Sequence, residues 1–197
     1  MTPYQKVAAC GMALCGALLA LLAAGSAARA DAVPSPAPGM ERRYGGSLLR
    51  AVAARDLYAS LALLRTGAAL YETDEAGRTP LLTAAASGAP ILLDALLSAG
   101  VRRGDTDAAG NNALHLAAAA GDIYTARLLK LRNYDLDTMN PDHETPLHLA
   151  AAAGHMTTVR GLMSLGANPS ASEGERFFSP VVAALEARQF SVSALFR

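Results

Sequence analysis

The chain is poor in cysteine and has no tryptophan at all. Its two cysteines, Cys10 and Cys15, lie close to the start, so the rest of the chain has no thiol for a disulfide, a metal site or nucleophilic catalysis. Basic and acidic side chains number 17 each, a balance that does not indicate a nucleic-acid partner. Packing alone must hold the folded part together, and 197 residues that are 52% hydrophobic suffice for one such domain.

The first 30 residues have the pattern of a secretory signal peptide. Lys6 precedes an apolar run from Val7 to Ala24, and Ala28-Arg29-Ala30 then supplies small residues at the spacing of a cleavage site. Cleavage after Ala30 would remove both cysteines. The run is 18 residues long, the lower limit for a membrane-spanning helix, so an uncleaved inner-membrane anchor is the alternative.

Residues 31–40 predict a stiff linker. Pro34, Pro36 and Pro38 fix extended backbone angles and remove hydrogen-bond donors. The folded domain is therefore expected to span residues 41–197.

A period of 33 residues organises that domain. Thr79-Pro80-Leu81-Leu82 aligns with Asn112-Ala113-Leu114-His115 and with Thr145-Pro146-Leu147-His148. The frame divides the chain into five units, of which the outer two are degenerate: about 41–73, 74–106, 107–139, 140–172 and 173–197.

The units resemble ankyrin repeats, whose T-P-L-H-x-A signature is matched by Thr145, Pro146, Leu147, His148 and Ala150. The resemblance implies an all-α solenoid of helix-turn-helix units joined by short β-hairpin-like turns. The residue types agree with helix chemistry, because Thr is a good N-cap, Pro fits the first helical position and Gly ends a helix. The alanines between them let neighbouring helices approach closely.

The histidines and aspartates do not form a catalytic or metal-binding pattern. His115 and His148 occupy the motif position that, in the resembled family, connects a helix start to a turn, and His143 and His155 are expected to be solvated. His143 replaces a turn glycine, so its hairpin is expected to be distorted. Asp residues in the turns are expected to bond their own backbone. No catalytic residue, cofactor or metal is predicted, and the chain is not expected to be an enzyme.

The same resemblance indicates a protein-binding surface on the turn tips and the exposed side of the first helix of each unit. The alanines there make a smooth groove, so the tips should discriminate between partners. Tyr124 and Tyr134 are expected to fill gaps between units. The predicted partner-binding residues are Glu75, Ala76, Arg78, Ala86, Ser87, Ala108, Ala109, Asn111, Ala119, Ala120, Pro141, Asp142, Glu144, Ala152 and Ala153.

The sequence thus predicts a periplasmic ankyrin-repeat scaffold that binds a protein, with no nucleic acid and, after signal cleavage, no membrane as partner. The balance of charge does not indicate a nucleic-acid partner, and cleavage of the leader would remove the apolar run that could reach a membrane. A membrane-tethered scaffold and an enzyme or ligand carrier are the alternatives.

Exported protein should begin at Asp31, because the small side chains of Ala28 and Ala30 fit the cleavage machinery. N-terminal sequencing of the periplasmic protein measures this. Replacing both alanines by aspartate should leave the leader attached. An exported wild-type chain that still begins at Met1 would instead establish the tethered alternative.

Overall fold

Residues 44–171 contain eight α-helices, which form four consecutive pairs connected by turns. The computed structural model describes these residues and residue 180. The predicted signal peptide, the linker, residues 41–43 and, apart from residue 180, the fifth unit lie outside the described residues.

The first helix of each pair is called inner and the second outer. The inner helices are α1 (Leu48–Ala53), α3 (Pro80–Ala86), α5 (Ala113–Ala119) and α7 (Pro146–Ala152). The outer helices are α2 (Leu57–Arg65), α4 (Pro90–Ser98), α6 (Ile123–Leu131) and α8 (Met156–Ser164).

The inner helices begin at the residues that the motif predicts. Asn112 caps α5, since its Oδ1 accepts from the backbone N–H groups of Leu114 at 2.9 Å and His115 at 3.1 Å. Thr79 caps α3, and Pro80 and Pro146 occupy first helical positions, where no N–H is needed. A residue at positive φ follows each inner helix, a conformation that glycine adopts without strain. Arg55 takes that place in the first pair, with φ of 55°.

Packing between neighbouring pairs forms one continuous apolar core. Each inner helix contacts the inner helix of the next pair, and each outer helix contacts the next outer helix. Leu81, Leu114 and Leu147 are buried at the centre of the inner layer. The predicted close approach of the inner helices is confirmed by the alanines that are fully buried between them, which are Ala84, Ala85, Ala117, Ala118, Ala150 and Ala151.

A glycine allows similar closeness between two outer helices. A Cβ atom on Gly161 of α8 would lie 2.2 Å from Cδ1 of Ile123 on α6. A larger side chain at this position would therefore require the Ile123 side chain to move, since contacts that short do not occur between carbon atoms.

Several expectations for single side chains are wrong. Tyr124 projects into solvent, whereas Tyr134 is buried as predicted. His155 is half-buried, and its Nε2 lies 3.0 Å from the carbonyl oxygen of Ala119, because the ring packs over Gly121 in the preceding unit. The turn at His143 is not distorted, because the residue adopts the positive φ of the glycine it replaces.

Leu114→Ala should lower the free energy of unfolding by about 2–5 kcal/mol, because it leaves a cavity in the inner layer. Leu131→Ala is the matched control, since that side chain is exposed, and it should change stability by no more than about 0.5 kcal/mol. Urea unfolding followed by circular dichroism measures both. Equal losses in the two variants would contradict the stacked core.

Candidate interaction surface

Three five-residue turns of the same shape precede α3, α5 and α7. These tip turns comprise residues 74–78, 107–111 and 140–144. Each is closed by a backbone hydrogen bond from its first N–H to its last carbonyl, at 3.1 Å from Asp74 and at 3.0 Å from both Asp107 and Asn140. The fourth residue of each has positive φ, supplied by glycine twice and by His143 once.

The first side chain of each tip turn fixes its conformation. Asp74 Oδ1 accepts from the N–H groups of Ala76 at 2.9 Å and Arg78 at 2.8 Å. Asp107 and Asn140 repeat this pattern with distances of 2.8–3.0 Å. The expectation that turn aspartates bond their own backbone is confirmed for Asp107 and Asp135, whereas Asp137 Oδ1 accepts from the N–H of Asn168 at 2.8 Å. The position equivalent to Asp107 in the next unit is Asn140.

Hydrogen bonds also join each tip turn to the next. Ala108 N–H donates to the carbonyl of Ala76 at 2.9 Å, and Asn140 Nδ2 donates to Asn111 Oδ1 at 3.0 Å. A Cβ atom on Gly110 would come within 2.3 Å of Pro141 Cδ, so only glycine allows this contact. The tip turns thus form a single row whose spacing is set before any partner arrives.

Buried histidines attach this row to the inner helices. The ring nitrogens of His115 lie 2.9 Å from Asn112 Oδ1 and 3.0 Å from the carbonyl oxygen of Glu144, in the following tip turn. Thr145 N–H donates to Nδ1 of His148 at 3.1 Å. The structural role predicted for the two motif histidines is confirmed. Burial lowers the pKa of His115 below its ordinary 6.5, despite the opposing effects of the Glu144 carbonyl and Asp107.

The predicted tip residues divide into exposed and turn-forming side chains. Arg78 donates to Asp74, Asn111 accepts from Asn140, and Glu144 also accepts from Asn140. These three are half-buried and shape the turns. The exposed side chains are Glu75, Ala76, Ala108, Ala109, Pro141 and Asp142.

The predicted helix positions lie at the far end of the inner helices, about 10 Å from the tip turns at 1.5 Å per residue. Ala86, Ala119 and Ala152 are the last helical residues and are half-buried. The residues that follow them lie just beyond the helices as C-caps and not within them as expected, because the helices end one residue earlier; these are Ser87, Ala120 and Ala153.

The tip turns carry mostly negative charge. The one cationic side chain in these turns is that of Arg78. The acidic side chains are those of Asp74, Glu75, Asp107, Asp142 and Glu144. Burial raises the pKa of Asp74. The hydrogen bonds and charge of Arg78 lower the pKa by more than burial raises it, so the net pKa lies below the ordinary 3.8. The excess of acidic side chains in the tip turns favours a partner surface with positive charge.

Sequence reasoning missed an exposed apolar row on the outer helices. Tyr58, Ile91 and Tyr124 occur at intervals of one repeat, and Ile91 is half exposed although it was expected to join an apolar stripe. The 33-residue spacing of these three was a signal available in the sequence. An open furrow beside Tyr124 is lined by residues from all four pairs, among them Arg55, Gly88 and Thr157.

The model of a family described as ankyrin repeats (3 copies) matches residues 48–139 and again 81–173. The chain belongs to the ankyrin-repeat family. Ankyrin repeats serve as scaffolds for protein–protein interaction, and the four helix pairs with their tip turns have that architecture. No curated protein matches the sequence. In the described part of this ankyrin-repeat chain, no helix is long and apolar enough to cross a bilayer, and no group of three or more His, Cys, Asp or Glu could hold a metal ion.

His115 should make the domain less stable in mild acid. The pKa of His115 is lower in the folded state than in the unfolded chain. Below about pH 6.5 the unfolded chain therefore binds a proton that the folded chain does not, and the free energy of unfolding decreases as the pH is lowered. His115→Leu, which copies Leu82 of the preceding unit, should flatten this dependence while costing about 1–3 kcal/mol at neutral pH for the lost bonds. Urea unfolding at pH 7.5 and 5.5 measures both effects. An unchanged difference between the two pH values would exclude His115 as its source.

Proposed function

We propose that this protein is an exported, periplasmic interaction scaffold of a bacterium, and that its tip turns hold a folded protein that it stabilises or inhibits. The proposal is supported chiefly by the row of tip turns, whose conformations and spacing are fixed by internal hydrogen bonds. A preformed surface loses little entropy on binding, so even modest contacts give useful affinity.

The composition of the row indicates what the partner should offer. Ala76, Ala108 and Ala109 leave a low, flat centre, which admits a protruding element of the partner. Glu75 and Asp142 stand at the two ends of the exposed row with their carboxylates in solvent. A partner with a small apolar protrusion between basic side chains fits this arrangement.

The periplasmic location rests on the sequence. Ala28-Arg29-Ala30 after an apolar run supports export, and a folded domain without cysteine needs no disulfide to persist there. If the leader is retained, the same scaffold would act while tethered to the inner membrane.

Two triple variants test the surface with equal changes in net charge. In the tip variant, Glu75→Ala, Asp142→Ala and Ala109→Arg add one positive unit each, three in all. In the control, Ala69→Arg, Ala99→Arg and Ser164→Arg also add three units at exposed positions away from the tip turns. Neither set removes a turn-forming side chain, so both proteins should fold like the wild type.

The tip variant should lose its partner while the control keeps it. Affinity purification from periplasmic extract, compared with wild type, gives the partner, and titration calorimetry should then show binding at least about tenfold weaker, or about 1.4 kcal/mol, for the tip variant alone. If both variants retain full affinity, the partner binds elsewhere and the tip surface is rejected. A purified partner that turns out to be a small molecule would favour the carrier alternative.

A further inference from the structure

The outer helices present large apolar side chains to solvent. Tyr58, Ile91 and Tyr124 are 47%, 50% and 72% exposed, and each is the second residue of its helix. Leu131, the last residue of α6, is 80% exposed. Apolar side chains that recur at one height on three neighbouring helices form a row, and groups of exposed apolar side chains mark contact surfaces.

The same helices carry four of the eight exposed cationic side chains of residues 44–171; the other four are Arg50, Arg55, Arg102 and Arg103. The four exposed cations on these helices are Arg65, Arg127, Lys130 and Arg160. The helices carry one carboxylate, that of Asp94, which forms an ion pair with Arg132. Within residues 44–171, no carboxylate forms an ion pair with Arg127, Lys130 or Arg160. The tip turns have the opposite sign, so the zero net charge of the chain describes neither surface.

On α6 the two features coincide. Tyr124, Arg127 and Leu131 follow one another at intervals of three and four residues, so they lie on a single side of the helix. This side is the exposed one, because Thr125, Ala126 and Leu129 are buried against the neighbouring helices. Helices that lie in the interface of an anionic bilayer typically combine apolar or aromatic residues, such as leucine and tyrosine, with arginine and lysine.

We propose that the exposed side of α2, α4, α6 and α8 docks on the surface of an anionic phospholipid membrane. Tyr58, Ile91, Tyr124 and Leu131 would enter the headgroup region, while Arg127, Lys130 and Arg160 pair with lipid phosphates. A single acidic helix from a protein, lying along the row from Tyr58 to Tyr124, fits less well. It would leave Leu131 and Lys130 uncovered at the other end of α6, about 10 Å away.

This docking replaces the expectation that the folded domain meets no membrane. That expectation rests on removal of the leader and does not consider the exposed side of the outer helices. Membrane docking is independent of the partner proposed for the tip turns.

The absence of tryptophan from the chain provides a site-specific test. Tyr124→Trp places one fluorophore on the outer face of the full-length protein, and Ala109→Trp places one on a tip turn, both at exposed positions. Vesicles of equal parts phosphatidylglycerol and phosphatidylcholine should shift the emission of the first protein to the blue and leave the second unchanged. Phosphatidylcholine vesicles alone should shift neither, and 1 M NaCl, where the Debye length is about 3 Å, should abolish the response.

Further substitutions in the Tyr124→Trp protein separate this surface from the predicted leader. Arg127→Gln and Lys130→Gln should each weaken vesicle binding about fivefold, which corresponds to about 1 kcal/mol per cation near an anionic surface. Leu131→Ser should also weaken it. Equal shifts at positions 124 and 109, an equal response to phosphatidylcholine alone, or no shift at 124 would each overturn the proposal. A shift at 124 caused by an acidic amphipathic peptide but not by vesicles would assign the face to a protein instead.

Discussion

The structure depends on the burial of alanine-rich helix faces between neighbouring units. A seven-residue inner helix such as α5 is too short to be stable alone, and Leu114 and Ala117 are buried only because α3 and α7 lie on either side. Because alanine has little bulk, the helices approach closely, and this closeness brings the turns that precede them into contact. The ordered row of tips therefore depends on the core as well as on the hydrogen bonds within and between the turns.

The repeat, the helix starts and the motif histidines could be predicted because they depend on local chemistry. Thr145, Pro146 and His148 act within a few residues of themselves, so their spacing is sufficient evidence. His155 and Tyr124 could not be placed in this way, because their surroundings come from other units or from the direction in which a short helix faces. Residue type alone does not predict the regular turn at His143, because the neighbouring hydrogen bonds impose its backbone angle.

The candidate surfaces differ in how far the sequence could define them. The resemblance supplied the tip positions, but the division between the exposed Glu75 and the turn-forming Glu144 depends on hydrogen bonds seen only in three dimensions. Charge was the least accessible property. A sum over the chain gives zero, whereas the fold places five carboxylates on the tip turns and four exposed cations on the outer helices.

The bonds from tip to tip, such as that between Ala108 and Ala76, have a further consequence for a chain whose units touch only their neighbours. Loss of one pair removes the support of the next, so such a stack can come apart stepwise from an end. A ligand that binds several tips at once must dissociate before any of the bound units can unfold. Partner binding would therefore slow the stepwise unfolding and lengthen the lifetime of all the folded repeats.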